Sequence, residues 1–149
     1  MGRYIWLIVV IGLGAIGPVW GQNLKFDSAG HFKIVQFTDV HYVPNNPKSK
    51  AAIHLIEKVL DLENPDLVVL TGDIVTGRPA RIGWDSVLDP ILRRNIPFIV
   101  TLGNHDDEQD LSRRQVAELV TSYPLNLNTV RVDLSLIHIS EPTRRRGIS

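Results

Sequence analysis

The sequence predicts an α/β fold in which the strands of a parallel sheet alternate with helices, in the order β-α-β-α-β-α. Three observations carry this prediction. Short apolar runs of β-type residues recur at residues 32–37, 67–70 and 97–102. Segments with apolar residues at helical spacing separate these runs. Each apolar run is followed directly by a short polar block, which is where ligand-binding residues gather in open α/β sheets.

The helices are predicted from amphipathic spacing and from the residues that begin or end them. The first covers residues 50–63 and ends at Asn64-Pro65, because proline opposes continuation of a helix. The second covers residues 84–94. The third begins at Ser112, where Gln115 completes a capping-box pattern. The apolar faces are Ile53, Ile56, Val59 and Leu60 in the first helix, Val87, Leu88, Ile91 and Leu92 in the second, and Val116, Leu119 and Val120 in the third.

The polar blocks contain carboxylate, imidazole and amide side chains. They are Asp39-Val40-His41, Gly72-Asp73 and Gly103-Asn104-His105-Asp106. Spacings of 34 residues (39 to 73) and 31 residues (73 to 104) fit one strand–helix–strand unit per step. Singly, each block is also typical of a turn or a helix cap, but the ordered set favours a metal site at one edge of the sheet. Oxygen and nitrogen ligands without a thiolate suit Mn, Fe or Zn.

With these blocks the chain resembles the calcineurin-like metallophosphoesterase superfamily, whose pattern of Asp-x-His, Gly-Asp and Gly-Asn-His-Asp/Glu stands here unchanged. The similarity runs from about Phe32 to Leu127 and is to a branch related to purple acid phosphatases, which includes members labelled inactive. It implies the N-terminal half of a two-sheet α/β/β/α sandwich. Ile74, Val75 and Thr76 follow Asp73 without a tyrosine, which argues against the iron–tyrosinate centre of true purple acid phosphatases.

The resemblance also implies which residues hold metal. Two divalent ions, Mn, Fe or Zn, would be the cofactors. Asp39 and His41 would hold the first ion, Asn104 would hold the second, and Asp73 would bridge both. Part of the family's ligand set is missing, because no histidine occurs between His105 and residue 133.

The activity that the resemblance implies is hydrolysis of a phosphomonoester or a phosphodiester by a metal-activated water. His105, paired with Asp106, would be the catalytic group that protonates the leaving oxygen. The substrate would be a small-molecule or protein phosphoester. The alternative is a non-catalytic binding protein that keeps the metallophosphoesterase fold.

The composition limits the fold and the partners. A chain of 149 residues allows one domain, and the absence of cysteine excludes disulfides and thiolate chemistry. Residues 22–133 hold 12 Lys and Arg against 15 Asp and Glu, so no nucleic-acid partner is indicated. His31 and His54 are interpreted as surface or interfacial residues. Arg78 and Arg81 are interpreted as part of a solvated basic loop, with a phosphate contact as the alternative.

The two ends of the chain are expected to lie outside the domain. Residues 1–21 combine a basic start, an uncharged apolar stretch and a cleavage-like site, which predicts a signal peptide and a secreted or periplasmic protein. An uncleaved membrane anchor is the alternative. Residues 134–149 open with eleven residues that match a translated sequencing-library adapter, so a non-native tail is expected, a natural basic tail being the alternative. Residues 22–133 would then be a partial, inactive piece of a metallophosphoesterase domain.

Overall fold

The structure is a computed structural model that describes residues 24–128. The predicted signal peptide, residues 1–21, and the predicted non-native tail, residues 134–149, lie outside the described residues. Six elements alternate within the described range. They are β1 (Ile34–Phe37), α1 (Pro47–Glu63), β2 (Leu67–Thr71), α2 (Ala80–Arg93), β3 (Phe98–Thr101) and α3 (Arg113–Thr121).

The three strands form a parallel sheet in the order β1-β2-β3. Val35 lies opposite Val68, and Val68 lies opposite Phe98, so the apolar runs are in register across the sheet. The predicted α/β class and the β-α-β-α-β order are confirmed. All three strands end at one edge, where the three polar blocks follow.

The core lies between the sheet and its helices. Helices α1 and α2 contact each other, and α2 also contacts α3. The predicted helical faces supply much of this core: Ile56 and Leu60 from α1, Val87, Leu88 and Ile91 from α2, and Val116, Leu119 and Val120 from α3 are buried. From the sheet, Val68, Leu70, Phe98 and Val100 complete it.

Helix α1 begins earlier than predicted, at Pro47 rather than residue 50. The Asn46 side chain accepts a hydrogen bond from the Lys48 amide and caps the helix, and Pro47 suits its first turn. The helix ends where predicted, because Asn64 adopts a left-handed conformation with φ of 43°.

Helix α2 also begins earlier, at Ala80 rather than residue 84. Its first turn is held by Asp110, whose Oδ1 accepts from the Ala80 amide at 2.8 Å. The prediction that placed Arg81 in a basic loop is therefore wrong, since Arg81 lies in the first turn of the helix. The capping box of α3, formed by Ser112 and Gln115, is confirmed.

No helix between residues 24 and 128 combines the length and apolar character needed to cross a membrane.

Candidate metal centre

The loop after β1 lies alongside the loop after β2. The Asp39 amide donates to the Gly72 carbonyl at 3.1 Å, and the His41 amide donates to the Asp73 carbonyl at 3.0 Å. The Tyr42 amide continues the pattern by donating to the Ile74 carbonyl at 2.9 Å. These bonds extend the parallel pairing past the ends of the strands. They set the first polar block directly beside the second.

The second and third loops approach each other at two glycines. Gly72 has φ of 93°, and a Cβ there would lie 2.8 Å from the Gly103 Cα. A Cβ on Gly103 would in turn lie 2.5 Å from the Asp73 amide nitrogen and would overlap the Asp73 carboxylate. Both positions therefore exclude a side chain, which brings Asp73 against the third loop.

Three of the predicted ligands meet in space. One ligand atom from each of Asp39, His41 and Asp73 lies within 4.8 Å of the other two. The His41 Nε2 lies 3.8 Å from Asp39 Oδ1, and both side chains are open to solvent. Asp39 Oδ2 also accepts from the Thr38 hydroxyl at 2.7 Å. Two carboxylates and one imidazole in this arrangement match the donor set that a borderline divalent ion prefers.

The backbone at this cluster adopts an uncommon conformation. Asp39, His41 and Asp73 all have positive φ angles, of 51°, 47° and 52°. Residues other than glycine rarely adopt this left-handed region, and such strain is concentrated at functional sites. The backbone hydrogen bonds between the two loops accompany this conformation.

The third loop brings His105 to the edge of the cluster. The His105 amide donates to Asp73 Oδ1 at 2.9 Å, and the imidazole ring lies 5.9 Å from that of His41 between ring centroids. Asn104 precedes it in the same loop and is exposed. The candidate ligands and the candidate acid therefore lie at one edge of the sheet.

The imidazole of His105 pairs with Glu108, whose Oε2 lies 2.6 Å from Nδ1. This hydrogen bond is the main cause of a raised pKa of His105, and the charges of Glu108, Asp73 and Asp106 raise it further. A carboxylate on Nδ1 fixes the tautomer of the ring and leaves Nε2 for chemistry. The sequence does not single out Glu108, because it stands in the acidic run of residues 106–110, and such a run is typical of a solvated loop.

The predicted pairing of His105 with Asp106 is wrong. Asp106 is fully buried, and its two oxygens accept four backbone amides from the second and third loops. Oδ2 accepts from Asp73 at 2.9 Å and from Gly103 at 2.8 Å, and Oδ1 accepts from Ile74 at 2.8 Å and from Val75 at 3.1 Å. Because both oxygens are used in this way, Asp106 joins two loops instead of serving the ring.

A family comparison agrees with this geometry. The model of the calcineurin-like phosphoesterase family matches residues 32–140. The chain belongs to this family. Its parallel three-stranded sheet is consistent with the N-terminal half of the metallophosphoesterase fold.

Curated relatives share the same region. Phosphatase DCR2 of Saccharomyces cerevisiae is 35% identical over 123 residues, which is 71% of this chain and 21% of that protein. "Probable inactive purple acid phosphatase 29" of Arabidopsis thaliana is 30% identical over 127 residues, 73% of this chain and 32% of that protein. "Probable inactive purple acid phosphatase 14" of the same plant is 27% identical over the same shares. The chain thus spans between a fifth and a third of the length of these relatives, and no solved structure matches it.

Proposed function

We propose that the protein is an exported, dinuclear-metal-dependent phosphoesterase that hydrolyses a phosphomonoester or a phosphodiester. The observation that carries the proposal is the cluster of Asp39, His41 and Asp73, whose ligand atoms lie within 4.8 Å of one another. Membership of the phosphoesterase family supports the same class of reaction.

We assign each residue the role that the family resemblance implies. Asp39 and His41 would hold one divalent ion, Asn104 a second, and Asp73 would bridge the two, with Mn, Fe or Zn as the candidates. When bound, the ions supply Lewis-acid activation of the phosphoryl group and of the attacking water.

His105 would deliver a proton to the leaving oxygen. Glu108 keeps the proton of the ring on Nδ1 in the neutral form, and it favours the doubly protonated ring that can act as an acid. Asp106 is assigned to positioning, because it holds the Asp73 and Gly103 amides and thus the two loops that carry the ligands.

The test uses the complete protein loaded with Mn²⁺ or Zn²⁺ and a chromogenic phosphomonoester or phosphodiester. Asp73→Asn should abolish both hydrolysis and stoichiometric metal binding, because the bridging charge is lost. His105→Asn should lower turnover roughly 100-fold or more, the range expected for loss of a general acid, with metal content near that of the wild type. His54→Asn, on the exposed side of α1, is the matched control and should change neither quantity.

Two outcomes would contradict the proposal. A wild-type protein that binds no divalent ion would refute the metal centre. Loss of metal in His105→Asn would show that His105 is a ligand. Export is tested separately, by finding a mature N-terminus at Gln22 in the secreted or periplasmic fraction.

A non-catalytic binding protein is the second candidate, favoured by the names of the two Arabidopsis relatives, which describe them as probably inactive. It predicts a protein that binds divalent ions and shows no hydrolysis with either class of substrate. Activity that chelation removes and Mn²⁺ restores would exclude it.

A further inference from the structure

Arg113, the first residue of α3, reaches back to the loop that carries Asn104 and His105. Its Nη2 donates to the Leu102 carbonyl at 2.8 Å, and its Nη1 donates to the Gly103 carbonyl at 2.7 Å. Nη1 also lies 3.4 Å from Asp107 Oδ1. One guanidinium therefore spans the loop from its beginning to the residue after Asp106.

These contacts fix the backbone on one side of Asn104. The Gly103 carbonyl belongs to the peptide unit that joins Gly103 to Asn104, and Arg113 holds it. The His105 amide belongs to the next peptide unit, and it donates to Asp73 Oδ1 at 2.9 Å. The two peptide units that flank Asn104 are thus each held by a charged side chain, so the position of its Cα is set although its own side chain is exposed.

The position of Arg113 does not stabilise the helix that contains it. A cation in the first turn opposes the positive end of the helix dipole. The charge of the neighbouring Arg114 is offset by Glu118 one turn later, whose Oε1 accepts from Arg114 Nε at 2.8 Å. The hydrogen bonds that the structure describes for Arg113 all go to the loop instead. Arg113 is also the more buried of the two, with 31% of its side chain exposed against 76% for Arg114.

We infer that Arg113 is a positioning residue for Asn104, and that it sets the affinity of the site for its second divalent ion. The inference rests on the function proposed above. A guanidinium suits the task because its planar fork donates to two carbonyls at once, which an ammonium at one point does not.

The test is a Mn²⁺ titration of the complete protein by calorimetry. Arg113→Met should lower the affinity for the more weakly bound ion by 10- to 100-fold, the range expected when a group that orients a ligand is removed. The affinity for the more tightly bound ion should change by less than threefold. Arg113→Lys should fall between the wild type and Arg113→Met. Arg114→Met is the matched control, since it removes an arginine from the next position, and it should leave both affinities within twofold.

A second measurement separates positioning from general stability. Arg113→Ala should also lose affinity for the more weakly bound Mn²⁺ ion. Low millimolar guanidinium chloride should restore much of that lost affinity, whereas the same concentration of sodium chloride should not. Equal weakening of both ions, with no rescue by guanidinium, would show a merely structural role and overturn the inference. A wild-type protein that binds two ions and an Arg113→Met variant that binds them unchanged would refute the inference alone. A wild-type protein that binds none would refute the proposed function as well.

Discussion

Among the described residues other than glycine, positive φ angles occur in turns or at a helix end, Leu125 included, and in the candidate metal cluster. Asn45, Asn64 and Asn95 adopt them in turns or at a helix end, where asparagine tolerates the left-handed region. Asp39, His41 and Asp73 adopt them in the cluster itself. Such a conformation costs on the order of 1–3 kcal/mol per residue. Backbone hydrogen bonds between the first and second loops, such as that from His41 to Asp73, offset this cost and hold the candidate ligands in place.

The close approach of Gly72 to Gly103 gives a prediction about stability, for which Gly30 serves as the control position. Both Gly72 and Gly30 have positive φ, but a Cβ at Gly30 would meet nothing within 4 Å, whereas one at Gly72 would lie 2.8 Å from the Gly103 Cα. Gly30→Ala should therefore lower the free energy of unfolding by about 1 kcal/mol, the backbone cost alone. Gly72→Ala should lower it by about 3 kcal/mol, because overcrowding adds to that cost. Urea denaturation measures both, and equal losses would contradict the role given to the close approach.

Asp106 gives a second prediction at the residue scale. Asp106→Asn replaces one oxygen by an NH₂ group that faces backbone donors, so two backbone amides lose their acceptor: the part-buried pair of Asp73 and Gly103 or the buried pair of Ile74 and Val75. Each such group costs roughly 1–3 kcal/mol, so the free energy of unfolding should fall by about 3 kcal/mol or more. Asp89→Asn removes an exposed carboxylate paired with Arg93 and should cost less than about 1 kcal/mol. A catalytic Asp106 with no structural role would instead give a stable, inactive protein.

At the scale of elements, α3 depends on its first residues. Ser112 accepts from the Gln115 amide and Gln115 bonds back to the Ser112 amide, so the helix begins with a complete capping box. This fixes the backbone at Arg113, the next residue. The start of α3 and the geometry of the third loop are therefore coupled.

Removal of the capping box should weaken α3. Ser112→Ala should lower the free energy of unfolding by about 1 kcal/mol, the usual cost of losing a serine cap. Ser86→Ala is the control, because Ser86 bonds only to the Ile82 carbonyl within α2 and alanine favours helix. Thermal unfolding followed by circular dichroism compares the two, and equal stability of both variants would contradict the role of the cap.

Local sequence patterns predicted the strands and helices. Strands bury alternate residues, such as Val68 and Leu70, and helices bury residues spaced by about 3.6 positions, such as Val87 and Ile91. Three candidate ligands could be placed together because parallel strands end at one edge of the sheet. The start of α2 could not be predicted, since its first amide bonds to Asp110, thirty residues later. The roles of Asp106 and Glu108 could not be predicted for a similar reason. The burial of Asp106 and the position of the His105 ring beside Glu108 are set by the folded loops.

For the whole molecule, the two faces of the sheet differ. Val35, Val68 and Phe98 share the face that packs on the helices, whereas Ile34 and Ile99 lie on the other face, and Ile34 is 54% exposed. The first face belongs to the core, where Val68, Leu70, Phe98 and Val100 are buried together with residues of the helices. The family resemblance implies that a second sheet lies over the other face. The candidate metal ligands sit at the edge of the sheet, where they can be reached from both faces.

The last prediction concerns how many ions the printed 149-residue chain binds. In the proposed assignment, Asp39, His41 and Asp73 would offer the first ion three protein ligands, whereas Asp73 and Asn104 would offer the second ion only two. Protein sites that hold such ions with an open position for water use about three or more protein ligands. A Mn²⁺ titration of the printed chain should therefore give one ion, bound at the first position.

Two variants locate that ion. Asp39→Asn should weaken its binding at least tenfold, since one of two anionic ligands is lost, whereas Asn104→Ala should leave it within twofold because Asn104 serves the second position. Circular dichroism of both variants controls for loss of fold. Two ions bound with similar affinity, or an equal effect of the two substitutions, would contradict this division of ligands. In this division Asp73 is the carboxylate that both ions would share, so we expect a second ion to bind only with ligands from outside residues 24–128.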